Sequence, residues 1–190
     1  MDRRAGAGSG LLPRLRTDDG GDRMTIEALV FRKVRDLVRD AAEDVLNDWG
    51  APVSAVERAE IWSFTVDAAD PAEEVRRALE ETTAVVNPNI HLVRMDGWGA
   101  PPDRGCRAFV RVTDRVDTKG AAVLRALRDR RGMASFTEVR RSVLWILDLD
   151  TEDPAEAKRA VAGLARTDRR SAGLLANPHA QDVCVEVVSA

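Results

Sequence analysis

The sequence predicts an α+β protein made of two similar β-α-β-α-β units packed together as an intramolecular pseudo-dimer. Three anchors in the chain predict it. The run Trp62-Ser63-Phe64-Thr65-Val66-Asp67, followed by Asp70-Pro71-Ala72-Glu73, returns as Trp145-Ile146-Leu147-Asp148-Leu149-Asp150, followed by Asp153-Pro154-Ala155-Glu156. Both of these anchors are displaced by 83 residues. The third, Asn87-Pro88, returns as Asn177-Pro178 at a displacement of 90, so the second copy carries about seven extra residues between anchors. A repeat of this kind sets the fold before any single element does. One unit of roughly 70–85 residues buries its apolar surface poorly alone. The copies are therefore expected to pack on each other.

The first unit, residues 24–95, opens with the β-prone run Ile26 to Arg32. A helix is expected from Asp36 to Trp49, with Leu37, Ala41 and Val45 as its apolar stripe and Gly50-Ala51-Pro52 as its stop. A long strand follows from Val56 to Asp67, with Trp62, Phe64 and Val66 on one face and Ser63 and Thr65 on the other. Asp70 then caps a helix with Pro71 first and Glu73-Glu74 near the positive end of its dipole. Val75, Leu79 and Thr82 form its inward stripe, and Ile90 to Met95 closes the unit as a short strand.

The second unit, residues 107–190, repeats the order. Arg107 to Thr113 is a strand, Lys119 to Arg131 a helix ended by Gly132, and Glu138 to Asp150 the long strand. Val143, Trp145, Leu147 and Leu149 share one face of it. Asp153-Pro154 opens a helix carrying Ala157, Val161 and Leu164, which the polar stretch Arg166 to Ser171 is expected to break, and Val183 to Val188 closes. Crossovers of a dozen or more residues suit helices on one face of a small sheet, a ferredoxin-like arrangement. The units would join their sheets or their long strands. Residues 96–106 read as a linker containing Cys106, and residues 1–23, rich in Gly, Arg and Asp, as a disordered tail, with Met24 as an alternative start.

Composition narrows the function. Apolar residues at 44% and charged residues at 32% are ordinary for a soluble protein. A net charge of −3 supplies no global basic field, so nucleic acid is not the expected partner. Two cysteines make no disulfide framework and no zinc motif, which points to a reduced, cytoplasmic setting. No apolar run approaches the roughly 18 residues of a membrane helix.

Little in the chain suggests catalysis. His91 and His179 each follow an Asn-Pro anchor and could form a metal pair, although neither has a second ligand at zinc-type spacing. Asp67, Asp70, Asp150 and Asp153 could be acid, base or magnesium ligands, but strand exit plus N-cap explains their spacing. The loop Val116-Asp117-Thr118-Lys119-Gly120 leads into a helix; it could bind an anion or simply cap. Trp62 and Trp145 read as matched packing residues or, alternatively, as a stacking platform for bases.

The order of motifs in the second unit resembles the PurS family, the small accessory subunit of phosphoribosylformylglycinamidine synthase. The resemblance rests on the Asp117-Thr118-Lys119-Gly120 loop, Val139-Arg140-Arg141 before a long apolar strand, and the acidic Asp-Pro-Ala-Glu-Ala helix start. It rests most specifically on Leu174-Leu175-Ala176-Asn177-Pro178, with Asp182 and Val185-Glu186-Val187 beyond. The first unit looks like a diverged member that keeps the Trp strand, the helix start and Asn87-Pro88. Two positions depart from the family pattern: Asp-Pro-Gln-Gly is here Asp117-Thr118-Lys119-Gly120, and the usual Gly-Lys after the Val-Arg segment is Arg141-Ser142.

The resemblance implies a tandem pair that has no catalytic residues or cofactor of its own. It implies an assembly role, bridging a glutaminase and an ATP-dependent synthetase in purine or purine-like biosynthesis; ATP, magnesium and glutamine would be used by those partners. Residues implied for partner contact are Asp117, Lys119, Gly120, Arg140, Arg141, Asn177 and Pro178. Self-association is a further expectation. The rival expectation is a tandem regulatory module with a small-molecule site between the copies.

Overall fold

A computed structural model describes residues 16–17, 23–166 and 173–190. The strands are β1 (Arg16–Thr17), β2 (Arg23–Arg32), β3 (Val53–Asp67), β4 (His91–Arg94), β5 (Cys106–Asp114), β6 (Phe136–Leu149) and β7 (Gln181–Ser189). The helices are α1 (Leu37–Asp48), α2 (Pro71–Glu81), α3 (Thr118–Arg125, continued by a π-helical turn at Ala126–Arg130) and α4 (Pro154–Ala165). The tail expected over residues 1–23 lies outside the described residues, apart from the two residues of β1, which pair with Met24 and Thr25, and Arg23 at the start of β2. The helix break expected near Arg166 falls mostly outside them too, but α4 runs unbroken through Gly163.

One antiparallel sheet carries the α+β fold. β3 and β6 pair at its centre, β2 and β5 flank them, and β4 and β7 close the two sides, all antiparallel. The repeat offset reappears in the register. Glu60 pairs with Val143, 83 residues on, and on either side Arg58 faces Trp145 while Trp62 faces Arg141. An approximate two-fold relation therefore passes through the Glu60–Val143 pair. It extends outward: Ala28 faces Trp62 as Val110 faces Trp145, and Arg32 faces His91 as Asp114 faces Gln181.

Strand parity then sorts the side chains. Ile26, Ala28, Val30, Trp62, Phe64, Val66, Phe136 and Val139 lie under α2 and α3 in one core. Ala108, Val110, Val112, Trp145, Leu147 and Leu149 lie under α1 and α4 in another. Each core thus takes one helix from each half. The cause is strand length: β3 and β6 have 15 and 14 residues, about 50 Å at 3.3 Å per residue, and each overhangs the other half. Phe64 and Phe136 meet edge-to-face across the halves, centroids 5.9 Å apart. The opposite sheet face has a smaller apolar patch of Leu29, Ala59, Ile61, Phe109, Leu144 and Ile146. Trp98 of the connecting segment packs there, its ring 5.8 Å from Phe109.

Three expectations need correction. The inward stripe of α1 is Ala42 and Leu46, with Leu37 68% exposed; counted from the capping aspartates, these are the positions that Val123 and Leu127 take in α3. Cys106 belongs to no linker: it is fully buried and opens β5 opposite Leu149. The segment before it is more than a spacer, since Trp98 also donates to Glu27 at 3.4 Å.

Candidate functional site

The strand-to-helix loops of the two halves, β2–α1 and β5–α3, are the features that the fold presents at equivalent places. In the second half, Asp117 caps α3 through the Gly120 amide at 2.8 Å. Its other carboxylate oxygen accepts the Arg141 backbone N–H at 2.5 Å. One carboxylate thus ties the helix start to β6. The approach is so close that a Cβ on Gly120 would stand 2.3 Å from both Asp117 Oδ2 and the Val139 carbonyl oxygen. Only glycine fits, for reasons of space rather than backbone angle.

Arg141 points toward the centre of the sheet. Its guanidinium donates to Glu60 at 2.5 Å, and the Trp62 indole donates to the other oxygen of Glu60 at 3.2 Å. Burial alone would raise the Glu60 pKa. The Arg141 hydrogen bond and charge, with Lys119 and Trp62, outweigh it and hold this carboxyl below its ordinary range. The same hydrogen bond raises the Arg141 guanidinium, against desolvation. Across the two-fold relation, Arg58 sits over Trp145 at 5.5 Å and donates to Asp36 at 2.9 Å. In both arginines Nε is buried and lacks a hydrogen-bond partner.

The Asn-Pro anchors are matched turns. Asn87 Oδ1 accepts the Asn89 amide as Asn177 Oδ1 accepts that of His179. The Lys33 ammonium donates to the Pro88 carbonyl as Arg115 does to that of Pro178. The Asn87 amide donates to His91 Nδ1, and the Asn177 amide to Gln181 Oε1. His91 is therefore the counterpart of Gln181, and His179 that of Asn89. The two histidines are not a matched pair. Among the described residues, no group of three or more His, Cys, Asp and Glu side chains is placed to hold a metal ion. Asp70 and Asp153 each cap a helix, accepting from the Glu73 and Ala155 amides.

Of the seven residues expected at a partner contact, Asp117, Gly120 and Arg141 converge on one clamp, while Lys119 stands exposed beside it. Asn177 and Pro178 form the neighbouring turn, held by Arg115. Arg140 lies on the other sheet face, paired with Glu138, and lines a polar cavity of about 450 Å³ between the halves. Arg111 spans that cavity, bonded to Glu27, Ser63 and Ser142. The first-half loop from Arg32 to Arg39 keeps the cap and the turn-binding cation of its counterpart, Asp36 for Asp117 and Lys33 for Arg115, but has Arg39 where the second half has Gly120.

The two halves thus repeat one α+β arrangement whose helix-entry loops are capped by aspartates. The PurS family model, described as phosphoribosylformylglycinamidine (FGAM) synthase, matches residues 107–189. That segment, which holds nearly all of β5 and the whole of β6 and β7, is similar to the PurS family, and the match supports an accessory-subunit role in FGAM synthase and purine biosynthesis. No curated protein matches the chain. No helix among the described residues is long and apolar enough to cross a membrane.

Proposed function

We propose that this chain is a non-catalytic assembly subunit that bridges the glutaminase and the ATP-dependent synthetase of an FGAM synthase-type complex. Its units would be residues 24–95 and 107–190, a covalently joined pair. The observation that carries this reading is the family match over 107–189 combined with a first half built on the same element order and joined to it through β3 and β6. Joining makes the pairing intramolecular, at an effective concentration on the order of millimolar or above. The partner contacts would come from Lys119, Arg140 and the Asn177-Pro178 turn, with Asp117, Gly120 and Arg141 holding the loop in place. ATP, magnesium and glutamine would be used by the partners. Purified glutaminase and synthetase subunits from the same source, mixed with the full chain, glutamine, Mg²⁺ and ADP, should co-elute as one species. Separate elution of all three would sink the reading.

A second reading rests on the cavity between the halves. It is lined by residues of both, among them Thr25, Arg111 and Ser142, and Trp98 lies at its edge. A small polar molecule bound there would make the chain a regulatory module. Thermal-shift screening of amino acids and nucleotides separates the two. A shift with a small molecule favours this reading; a shift only with a partner protein removes it.

A further inference from the structure

The two outer edges of the sheet end differently. In the first half the edge strand β4 is four residues long, His91–Arg94, beside Leu29–Arg32 of β2. The chain then leaves the sheet through Gly97, at a φ of 99°, and carries Trp98 across to Phe109. β1 takes a further part of β2, at Met24 and Thr25. In the second half β7 runs for nine residues, Gln181–Ser189, beside all of β5. The register makes Gln181–Cys184 the counterpart of β4, so Val185–Ser189 have none. Among the described residues, β5 is the strand that pairs with β7, and the other side of β7 is an open edge.

Which backbone groups face that edge follows from the ladder. The Arg115 amide donates to the Ala180 carbonyl, and the Ala190 amide to the Gly105 carbonyl, at 3.0 and 3.1 Å. Bonded and non-bonded pairs alternate along an antiparallel ladder, so Asp182, Cys184, Glu186 and Val188 bond to β5. Val183, Val185, Val187 and Ser189 turn their N–H and C=O groups outward. The same three valines pack against the core under α1 and α4 but stay only half-buried, whereas Val110 and Val112 of β5 are 0 and 3% exposed. The edge therefore offers a row of free donors and acceptors beside an apolar column that one more strand would cover. Proline, lysine and bulges, which usually blunt such an edge, are absent from β7. Its charges, Asp182 and Glu186, stand on the other sheet face and bear on register instead.

We propose that β7 pairs antiparallel with β7 of a second copy of this chain, about a two-fold axis at Val185, so that one sheet runs through both molecules. The strand's own sequence selects this occupant. Centred on Val185, Val183 faces Val187, Cys184 faces Glu186 and Asp182 faces Val188, and no like charges are opposed. The three valines supply the central rungs, each between two outward-facing residues. One step either way opposes like charges, which neighbouring strands disfavour. With Val183 opposite Val185, Asp182 faces Glu186; with Val185 opposite Val187, Glu186 faces its own copy. Centring on Val187 leaves Val183 uncovered. The chain already contains a joint of this kind, β3 against β6 about an approximate two-fold, with the helices of both halves on one face. The new pairing is isologous and closes at two copies, because the edge at β4 is too short to continue it. It concerns the chain alone and does not depend on the bridging reading.

The test has two arms, both on the full chain. In the first, size-exclusion chromatography with light scattering follows a dilution series, and the mass should double as concentration rises. V185P removes an outward N–H and spares the β5 ladder, a position where an edge strand tolerates proline. A loss of at least tenfold in self-association is expected from it. In the second arm, a mild thiol oxidant is added to wild type, E186C and E186C/C184S. Cys184 is exposed. Facing positions 184 and 186 of the two copies form a non-bonded pair, about 4.5 Å apart at Cα and within reach of a disulfide. Like positions sit on the diagonal, about 7–8 Å apart. E186C should therefore give a covalent dimer, and wild type and E186C/C184S should not. Each variant is first checked by circular dichroism and urea midpoint; should V185P fail to fold, the crosslinking arm decides. A wild type that stays monomeric, a dimer that V185P leaves unchanged, or crosslinking in wild type or E186C/C184S overturns the proposal. So does a chain that is monomeric alone while V185P weakens its binding to a purified glutaminase or synthetase, which would give the edge to a partner's strand.

Discussion

Gly120 and Gly163 both lie within helices, and replacing each by alanine should move stability in opposite directions. At Gly163 an added Cβ meets nothing within 4 Å, so Gly163→Ala gains helix propensity, about 0.5–1 kcal/mol. At Gly120 the added carbon would stand 2.3 Å from a backbone oxygen of Val139 and from Asp117 Oδ2. Neither can move cheaply. Asp117 is held from two sides, by the Gly120 and Arg141 amides, and the Val139 carbonyl belongs to a central strand. The start of α3 must lift away from β6. The cap is then lost, at about 1 kcal/mol, together with a charge-assisted hydrogen bond worth about 1.5–3 kcal/mol. Propensity returns at most about 1 kcal/mol. The net expectation for Gly120→Ala is a destabilisation of about 2 kcal/mol. Urea unfolding, followed by circular dichroism with m-values compared, measures both variants. Equal midpoints for Gly120→Ala and wild type would refute the clamp, and a lower midpoint for Gly163→Ala would refute the open space at that position of α4.

Three further outcomes follow from the same geometry. Glu60, whose pKa is lowered on folding, contributes stability that is present above the carboxylate's ordinary value of 4.5 and is lost as pH falls through its folded value. Glu60→Gln should therefore cost about 1–2 kcal/mol at neutral pH, discounted for partial exposure, with the difference from wild type vanishing in acid; a pH-independent difference would contradict it. Phe64→Ala and Phe136→Ala should each cost about 3–5 kcal/mol, with a coupling of about 0.5–1.5 kcal/mol in a double-mutant cycle, and strict additivity would argue against the edge-to-face contact between halves. His91→Gln should change stability by less than about 0.5 kcal/mol, because Gln181 already makes the corresponding bond in the other half; a large loss in thermal unfolding would break the equivalence of the two turns.

Much of this architecture was legible in the chain because it depends on local rules. The 83-residue displacement of the tryptophan strands reappears as the Glu60–Val143 pair, and the 90-residue displacement of Asn-Pro as matched turns. Aspartates ahead of proline read as caps and are caps. The misreadings arise where tertiary contacts decide. Helix α1 has apolar residues on more than one face, and the one that turns inward, with Ala42 and Leu46, is the one that meets the core built by β5, β6 and α4. The burial of Cys106 and the packing of Trp98 depend on a sheet face that periodicity alone does not reveal. Asp117 reads as a cap in sequence, but its second bond, to a strand 24 residues later, does not.

The Glu60–Val143 pair shows what a joined chain permits. In a symmetric dimer of identical units, the residue on the two-fold axis must face its own copy. Glutamate there would face glutamate across neighbouring strands, an unfavourable pairing. Valine would face valine, and the buried guanidinium beside it would have no carboxylate. Here the axis holds one of each. Glu60 reaches Arg141 on one side, while Arg58, the counterpart of Arg141, is satisfied instead by Asp36 from the β2–α1 loop. That alternative pairing carries the asymmetry outward. Asp36 caps α1 and meets the Arg58 guanidinium, whereas its counterpart Asp117 caps α3 and meets the Arg141 backbone N–H. Replacing Glu60 should therefore be felt in one half only. In Glu60→Val, Arg141 loses its carboxylate while the Arg58–Asp36 pair is untouched, so the second half should loosen and the first should not. Amide exchange resolves this: faster exchange in α3 and the adjoining part of β6, with α1 unchanged, is expected. Equal acceleration in α1 and α3 would mean that the two halves are coupled through the axis, and the independence of the two ends would have to be given up.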